Sequence, residues 1–232
     1  MGTKKFKIVI KESQLKEAKF QFSWKGIAMA SLETRGWGPN VRTLIIYYAQ
    51  PGFGTKNENV KVAGAVTMMP TEEPCVPDTL EVATIYTDEE FRGVGLGSFL
   101  YAMAFYYANS NGYGLTSDHS IGSKEKATNK WKQLEKNPQF EKRTTKDGNS
   151  KFDYDGDTPD PDDDCDEGSG EVAIDYSLFN TKHEAFSGVW SKLLAAHTRF
   201  SSMTRGPRRF EERLSEMASD GFNRAYDLEP KQ

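Results

Sequence analysis

Leu80–Gly97 reads LEVATIYTDEEFRGVGLG, and the fold turns on how this stretch divides. Leu80–Tyr86 is rich in β-branched residues and predicts a strand. Beyond it the period changes to that of a helix. Leu96, Leu100, Met103, Ala104 and Tyr107 fall at i, i+4, i+7, i+8 and i+11, one apolar stripe. That helix ends at Asn111-Gly112, where glycine suits the residue after the cap. Between strand and helix stand a polar bridge, Arg92, and glycines at 93, 95 and 97. Such a segment is an anion cradle. Glycines let backbone approach a phosphate, and the unpaired N–H groups of the first helical turn point at it.

Nucleotide-binding loops of this kind differ in their flanks. A Walker A loop continues Gly-Lys-Ser/Thr, whereas this one gives Gly97-Ser98-Phe99 and is excluded. A Rossmann-like fold for S-adenosylmethionine or a dinucleotide places its glycines directly after the strand, with an acid about 20 residues on, for which Asp118 is available. Against that alternative, Thr87–Arg92 separates strand from glycines, and the β-rich stretch upstream contains a hairpin rather than an opening βαβ unit.

Thr87-Asp88-Glu89-Glu90-Phe91-Arg92-Gly93-Val94-Gly95-Leu96-Gly97 resembles the acyl-CoA-binding motif R/Q-x-x-G-x-G/A of the GCN5-related N-acetyltransferase (GNAT) superfamily, with Arg92, Gly95 and Gly97 at the defining positions. The resemblance extends over about residues 5–180 and is specific over 80–135. The segment Gly114-Leu115-Thr116-Ser117-Asp118, followed by Ala127-x-x-x-Trp131, resembles phage-borne members. The resemblance implies an α/β (α+β) acyl-CoA N-acyltransferase fold, a central mixed sheet flanked by helices. It places an acetyltransferase domain at 1–180, with an acidic insertion at about 153–171, and a C-terminal helical extension at 181–232.

The implied activity is transfer of an acetyl group from acetyl-CoA to a primary amine by direct attack. The pyrophosphate would rest on Arg92, Gly93, Val94, Gly95, Leu96, Gly97 and Ser98. Backbone groups of Ile85, Tyr86 and Thr87 would meet the pantetheine arm, one amide polarising the thioester carbonyl. Attack needs a neutral amine, hence a base, and an acid for the departing thiolate. Glu81 is the candidate base, and alternation places it on the face of Ala83 and Ile85. Where the family often carries an acidic Tyr after an Ala, this chain has Ala127 and then Trp131, whose indole is no acid. Ser120 and Ser123 could substitute through water, and Asp118 and His119 could bind the amine or relay a proton. The departure at Trp131 leaves a second expectation, a binding or structural protein of the same fold without turnover.

Working outward, Lys5–Lys11 alternates as a strand, and 12–32 is rich in helix formers and predicts one or two helices. Val41–Ala49 and Val60–Met69 form a hairpin around Pro51-Gly52-Phe53-Gly54. Tyr113–Ser117 is a strand, and a helix from about Ser123 buries Ala127, Trp131 and Leu134. Phe140–Arg143 and Lys151–Tyr154 are short strands, and Val172–Phe179 is the last. Thr181-Lys182-His183-Glu184 has the form of a capping box opening a helix with Phe186, Val189, Trp190, Leu193 and Leu194 on one stripe. A final helix begins at Gly206-Pro207 and buries Phe210, Leu214 and Met217.

The 232 residues carry 34 acids and 30 bases, a net −4. Residues 153–171 hold ten of those acids and no base; the other 24 acids leave the rest of the chain at +6, suited to an anionic cofactor. From Asp153 an EF-hand count puts Thr158 at position six and Asp164 at twelve, where Gly and Glu are required, so the segment is read as a solvated insertion. Cys75 and Cys165 form no CxxC pair, and His119, His183 and His197 share no ligand spacing, so no metal is expected. The cysteine usage and the absence of a signal or membrane-spanning segment predict a cytoplasmic protein. The Arg cluster at 199–213 is interleaved with Glu211 and Glu212 and has no nucleic-acid motif beside it. Lysines along 124–146 are placed to meet the 3′-phosphate of CoA. The acceptor and the oligomeric state are not encoded in any motif.

Overall fold

The computed structural model describes residues 26–33, 41–49, 60–70, 78–117, 125–144, 176–204 and 206–227. Among these, β1 (Ile27–Glu33), β2 (Arg42–Ala49), β3 (Val60–Pro70), β4 (Thr79–Thr87), β5 (Gly114–Ser117), β6 (Phe140–Thr144) and β7 (Tyr176–Asn180) make one mixed sheet ordered β1-β2-β3-β4-β5-β7-β6. β4 and β5 are parallel, because the helix α1 (Leu96–Ser110) carries the chain back between them. All other neighbours are antiparallel. This is the expected α+β architecture. α2 (Glu125–Glu135), α3 (Ser187–Ser202) and α4 (Pro207–Asp227) complete it. No helix of the described residues is long and apolar enough to cross a membrane.

One expectation fails at the start of the sheet. Residues 27–32 were expected in a helix; instead Ile27–Glu33 is a strand paired along its length with β2. Ala28, Met29 and Ala30 are good helix formers, but propensity is a weak determinant, and pairing plus burial on both faces overrides it. The expected strands at Lys5–Lys11 and Lys151–Tyr154, the turn at Pro51–Gly54 and the acidic stretch 153–171 lie outside the described residues.

The sheet has two cores. On one face α1 is buried on most of its circumference, its Leu96, Phe99, Leu100 and Met103 meeting Val66 and Met68 of β3 and Leu80 and Val82 of β4. Trp131 and Leu134 of α2 close that core. On the other face Ile45, Tyr47, Ala65 and Tyr86 pack against Phe200 of α3 and Phe210, Leu214 and Ala218 of α4. α3 packs along the edge strand β1 and feeds both cores, Leu193 on one side and His197 and Phe200 on the other. Covering a free edge in this way blocks pairing with other chains. The capping box does not form. The hydroxyl of Thr181 donates to the carbonyl of Gln139 at 3.0 Å, tying β7 to the α2–β6 turn, and α3 is entered through a 3-10 turn at His183–Phe186.

His197 joins β2, α3 and α4 in the second core. Its Nδ1 lies 3.0 Å from the Tyr47 hydroxyl and its Nε2 3.5 Å from a carboxylate oxygen of Glu211, with Phe210 stacked on the ring. Glu211 only accepts, so Nε2 carries the proton and the tyrosine donates to Nδ1. Burial lowers the pKa of the imidazole, and Glu211 offsets that only in part. A folded-state pKa below the unfolded value means that the native state resists protonation. The contribution to stability is therefore complete above about pH 6.5, the ordinary histidine value, and is lost as pH falls through the folded-state pKa. Chemical denaturation from pH 8 to pH 5 should show this decline, and His197→Gln should flatten it. An unchanged slope in the variant would assign the decline to other groups.

Candidate functional site

β4 continues past its last pair with β5, Val82 with Ser117, for five further residues, Ala83–Thr87, of which Thr84–Thr87 pair with β3. Their β5-side edge meets no strand among the described residues. The ladder with β3 shifts here, so that Thr67 faces Thr84 while Met68 faces Val82, and Ala83 is the extra residue of a bulge. The bulge reverses the side-chain alternation. Leu80 and Val82 point into the α1 core, and so does Ile85, while Tyr86 points into the opposite core. Glu81, between Leu80 and Val82, therefore faces the α3–α4 side. This corrects the expectation that Glu81 shares a face with Ile85. Glu81 as a whole residue is 8% exposed and aligns with Met69 and Thr116.

The loop after β4 is held by its own side chains. Asp88 caps the 3-10 turn Glu89–Phe91 by accepting from the amide of Glu90 at 3.1 Å, and its own amide donates to the carbonyl of Ala63 at 2.9 Å. Lys61 pairs with Glu90 and lies 3.9 Å from Asp88. Arg92 donates through Nε to the carbonyl of Thr87 at 3.2 Å and stands 3.6 Å from Glu89, so its side chain braces the turn. Gly93 and Gly95 have φ of 75° and 85°, the left-handed region that glycine enters without penalty. Gly95 is the N-cap of α1, makes no side-chain cap hydrogen bond, and no acid occupies the first turn. The amides of Leu96, Gly97 and Ser98 have no helical acceptor and receive no competing charge. A side chain at Gly97 would point at the hydroxyl of Thr87, 3.6 Å from its β-carbon. The cradle therefore fits a diphosphate.

The structure thus brings Ile85–Thr87 and Arg92–Ser98 together at the open end of β4. Asp118, His119, Ser120 and Ser123 lie outside the described residues. Val94 and Leu96 pack onto the α1 core and contribute backbone only. A cleft of about 650 Å³ begins at Ser98 and runs along α1 and α2, its wall including Tyr101, Phe105, Lys130, Leu134 and Lys136. Tyr101 was not foreseen. Trp131, 1% exposed, meets it edge-on at 5.7 Å and hydrogen-bonds its hydroxyl, whose pKa burial nonetheless pushes up to about 12. The signal lay in the i, i+5 offset of Tyr101 from Leu96, which turns it off the main stripe toward α2. Among the described residues no group of three or more His, Cys, Asp or Glu is placed to hold a metal ion.

Solved structures with some likeness to the chain include an IAA acetyltransferase from Bacillus cereus ATCC 14579, 19% identical over 45% of this chain, with a TM-score of 0.30. This chain spans 57% of the length of that protein. An acetyltransferase of the GNAT family from Staphylococcus aureus Mu50 is 10% identical, with 61% of this chain and 68% of that one covered and a TM-score of 0.32. A mutant AtaT toxin bound to the C-terminus of the antitoxin AtaR and acetyl-CoA is 17% identical, with 64% and 72% covered and a TM-score of 0.32. No curated protein matches. Residues 21–120, which include β1 to β5 and the whole cradle, match the model of the acetyltransferase (GNAT) family.

Proposed function

We propose that this chain transfers an acetyl group from acetyl-CoA to a primary amine. The observation that carries the proposal is the uncapped, acid-free first turn of α1 behind two left-handed glycines, set beside the edge of Ala83–Thr87 that meets no strand among the described residues. The family match over 21–120 supports it. In this scheme the first-turn amides hold the diphosphate, and Ile85–Thr87 offer backbone groups to the pantetheine arm and thioester carbonyl. Lys130 and Lys136 line the cleft that includes Ser98, and the 3′-phosphate of CoA is assigned to them in this scheme. Residues 1–180 form the acetyltransferase unit, and 181–232 an extension whose helices complete the second core.

Glu81 is the proposed base. It lies four residues before Ile85, about 13 Å along the strand, on the face opposite α1. The amine would approach from that face and pass its proton to Glu81 along water spanning that distance, as its nitrogen bonds the acetyl carbon and the thiolate departs. A second proposal keeps cofactor binding without turnover. It is favoured by Trp131, which is spent in packing against Tyr101 and presents no acid.

Calorimetric titration with acetyl-CoA tests the first requirement, and absence of binding at high micromolar cofactor would remove both proposals. Given binding, acetylation is screened over polyamines, aminoglycosides and lysine peptides. Glu81→Gln is expected to lower turnover by about 100- to 10,000-fold with cofactor affinity preserved. Turnover equal to wild type would dismiss Glu81 as the base. Binding without turnover on any acceptor would favour the second proposal.

A further inference from the structure

Among the described residues the open end of β4 has one strand neighbour, β3, and contacts on both of its faces. The bulge at Ala83 loosens the ladder just before it. Adjacent residues then anchor in opposite cores, Ile85 beside α1 and Tyr86 beneath α4. The Tyr86 ring, 7% exposed, meets Phe222 edge-on at 4.9 Å and lies directly on Gly221. A β-carbon at Gly221 would overlap the end of that ring. On the other side a β-carbon at Gly64 of β3 would stand 2.7 Å from the Tyr86 carbonyl. Gly221 sits inside a 21-residue helix where alanine is the better helix former, and its contact with Tyr86 accounts for its presence.

We propose that α4 positions the cofactor-binding end of β4 through the contact of Gly221 with Tyr86, so that affinity for CoA depends on how α4 is docked. This rests on the acyl-CoA assignment above. Tyr86 and Gly221 are positioning residues. Their effect passes along the chain, since Tyr86 is followed by Thr87, whose carbonyl holds Arg92 and whose hydroxyl faces Gly97. A bulkier residue at 221 lifts the ring, and with it the backbone beside the cradle. Linkage is reciprocal, so bound CoA must also tighten α4 on the sheet.

The test uses the full chain and CoA. Gly221→Val should weaken CoA binding by about tenfold or more. Asn109→Ala is the matched control: Asn109 is buried at the far end of α1, bonding the Tyr113 carbonyl and the Asn180 amide, and its loss should lower the melting temperature with CoA affinity within about twofold. CoA should slow amide exchange in α4 of the wild type. Should Gly221→Val not fold, Gly221→Ala carries the test, with affinity recovered in the double variant Tyr86→Leu/Gly221→Ala. Gly221 variants with faster exchange in α4 and wild-type affinity would overturn the proposal. A wild type that binds no CoA would instead overturn the acyl-CoA assignment on which it stands.

Discussion

Gly95→Asp is expected to weaken acetyl-CoA binding by about 100-fold or more, equivalent to about 2.8 kcal/mol. Three effects act together. Position 95 is left-handed, so any side chain pays a conformational cost, though Asp and Asn pay least. Asp is also a strong N-cap, and its carboxylate would occupy the first-turn amides that the diphosphate needs. Finally it sets a negative charge where a multiply charged anion must sit. A series separates these contributions. Gly95→Ala adds neither a capping oxygen nor a charge to the left-handed position, so affinity should fall by about tenfold at most. Gly95→Asn caps the helix without charge and should fall between the two. Gly93→Ala measures the strain of a left-handed φ in the same loop without a steric clash, since its β-carbon meets nothing within 4 Å. Titration of the four variants, with thermal melts to verify folding, gives the order. Gly95→Asp binding within threefold of wild type would show that the first turn of α1 is not the anion site.

The parts of this molecule written in short-range pattern were readable from sequence. The helix beginning at Leu96 and the left-handed turn at Gly93 and Gly95 depend on neighbours a few residues away, and both form, although burial extends past the expected stripe to Phe99, Tyr101, Ala102, Phe105 and Ala108. Gly112 has φ of 85°, as a residue after a helix cap should. Other features depend on contacts distant in the chain. Residues 27–33 become a strand because β2 is there to pair with, and burial of Ala28, Met29 and Ala30 together erases the alternation that marks a half-exposed strand. No local signal marks the bulge at Ala83, yet it decides which face Glu81 shares. Gly221 looks like a flaw in α4 until the Tyr86 ring is found against it. Thr181 fits a capping box by spacing, but the Gln139 carbonyl, 42 residues earlier in the chain, takes its hydroxyl. Local geometry thus specified the glycine turn, while the face that Glu81 occupies was set by long-range pairing.

Gly114→Ala should destabilise the fold by about 3 kcal/mol, near the upper end for a methyl forced into a packed site. Gly114 opens β5, donates its amide to the Asp78 carbonyl at 2.8 Å and aligns with Thr79 of β4. The space its side chain would enter is filled by the Ser177 hydroxyl of β7, with the Ser177 β-carbon 3.1 Å from the position of the new methyl. Both residues are buried in strands, so neither backbone can yield cheaply. The Ser177 hydroxyl is itself buried without a hydrogen-bond partner, a group whose desolvation nothing offsets. Ser177→Ala should accordingly be neutral or stabilise by up to about 1 kcal/mol. In the double variant the sharpest overlap is gone and the 3.1 Å contact remains, so most of the loss should return, with a coupling of about 2 kcal/mol. At roughly 2–4 °C per kcal/mol for a chain of this size, Gly114→Ala should melt about 6–12 °C below wild type. Additive losses in the double variant would mean that β5 and β7 do not meet at these positions. The position also matters for function, because the Thr79–Gly114 pair is the closed end of the β4–β5 opening. A wedge there tilts β5 against β4 along the ladder that ends at Val82 and Ser117, just before the proposed cofactor-binding residues Ile85–Thr87. Gly114→Ala should therefore lose cofactor affinity together with stability, and Ser177→Ala in the double variant should restore both.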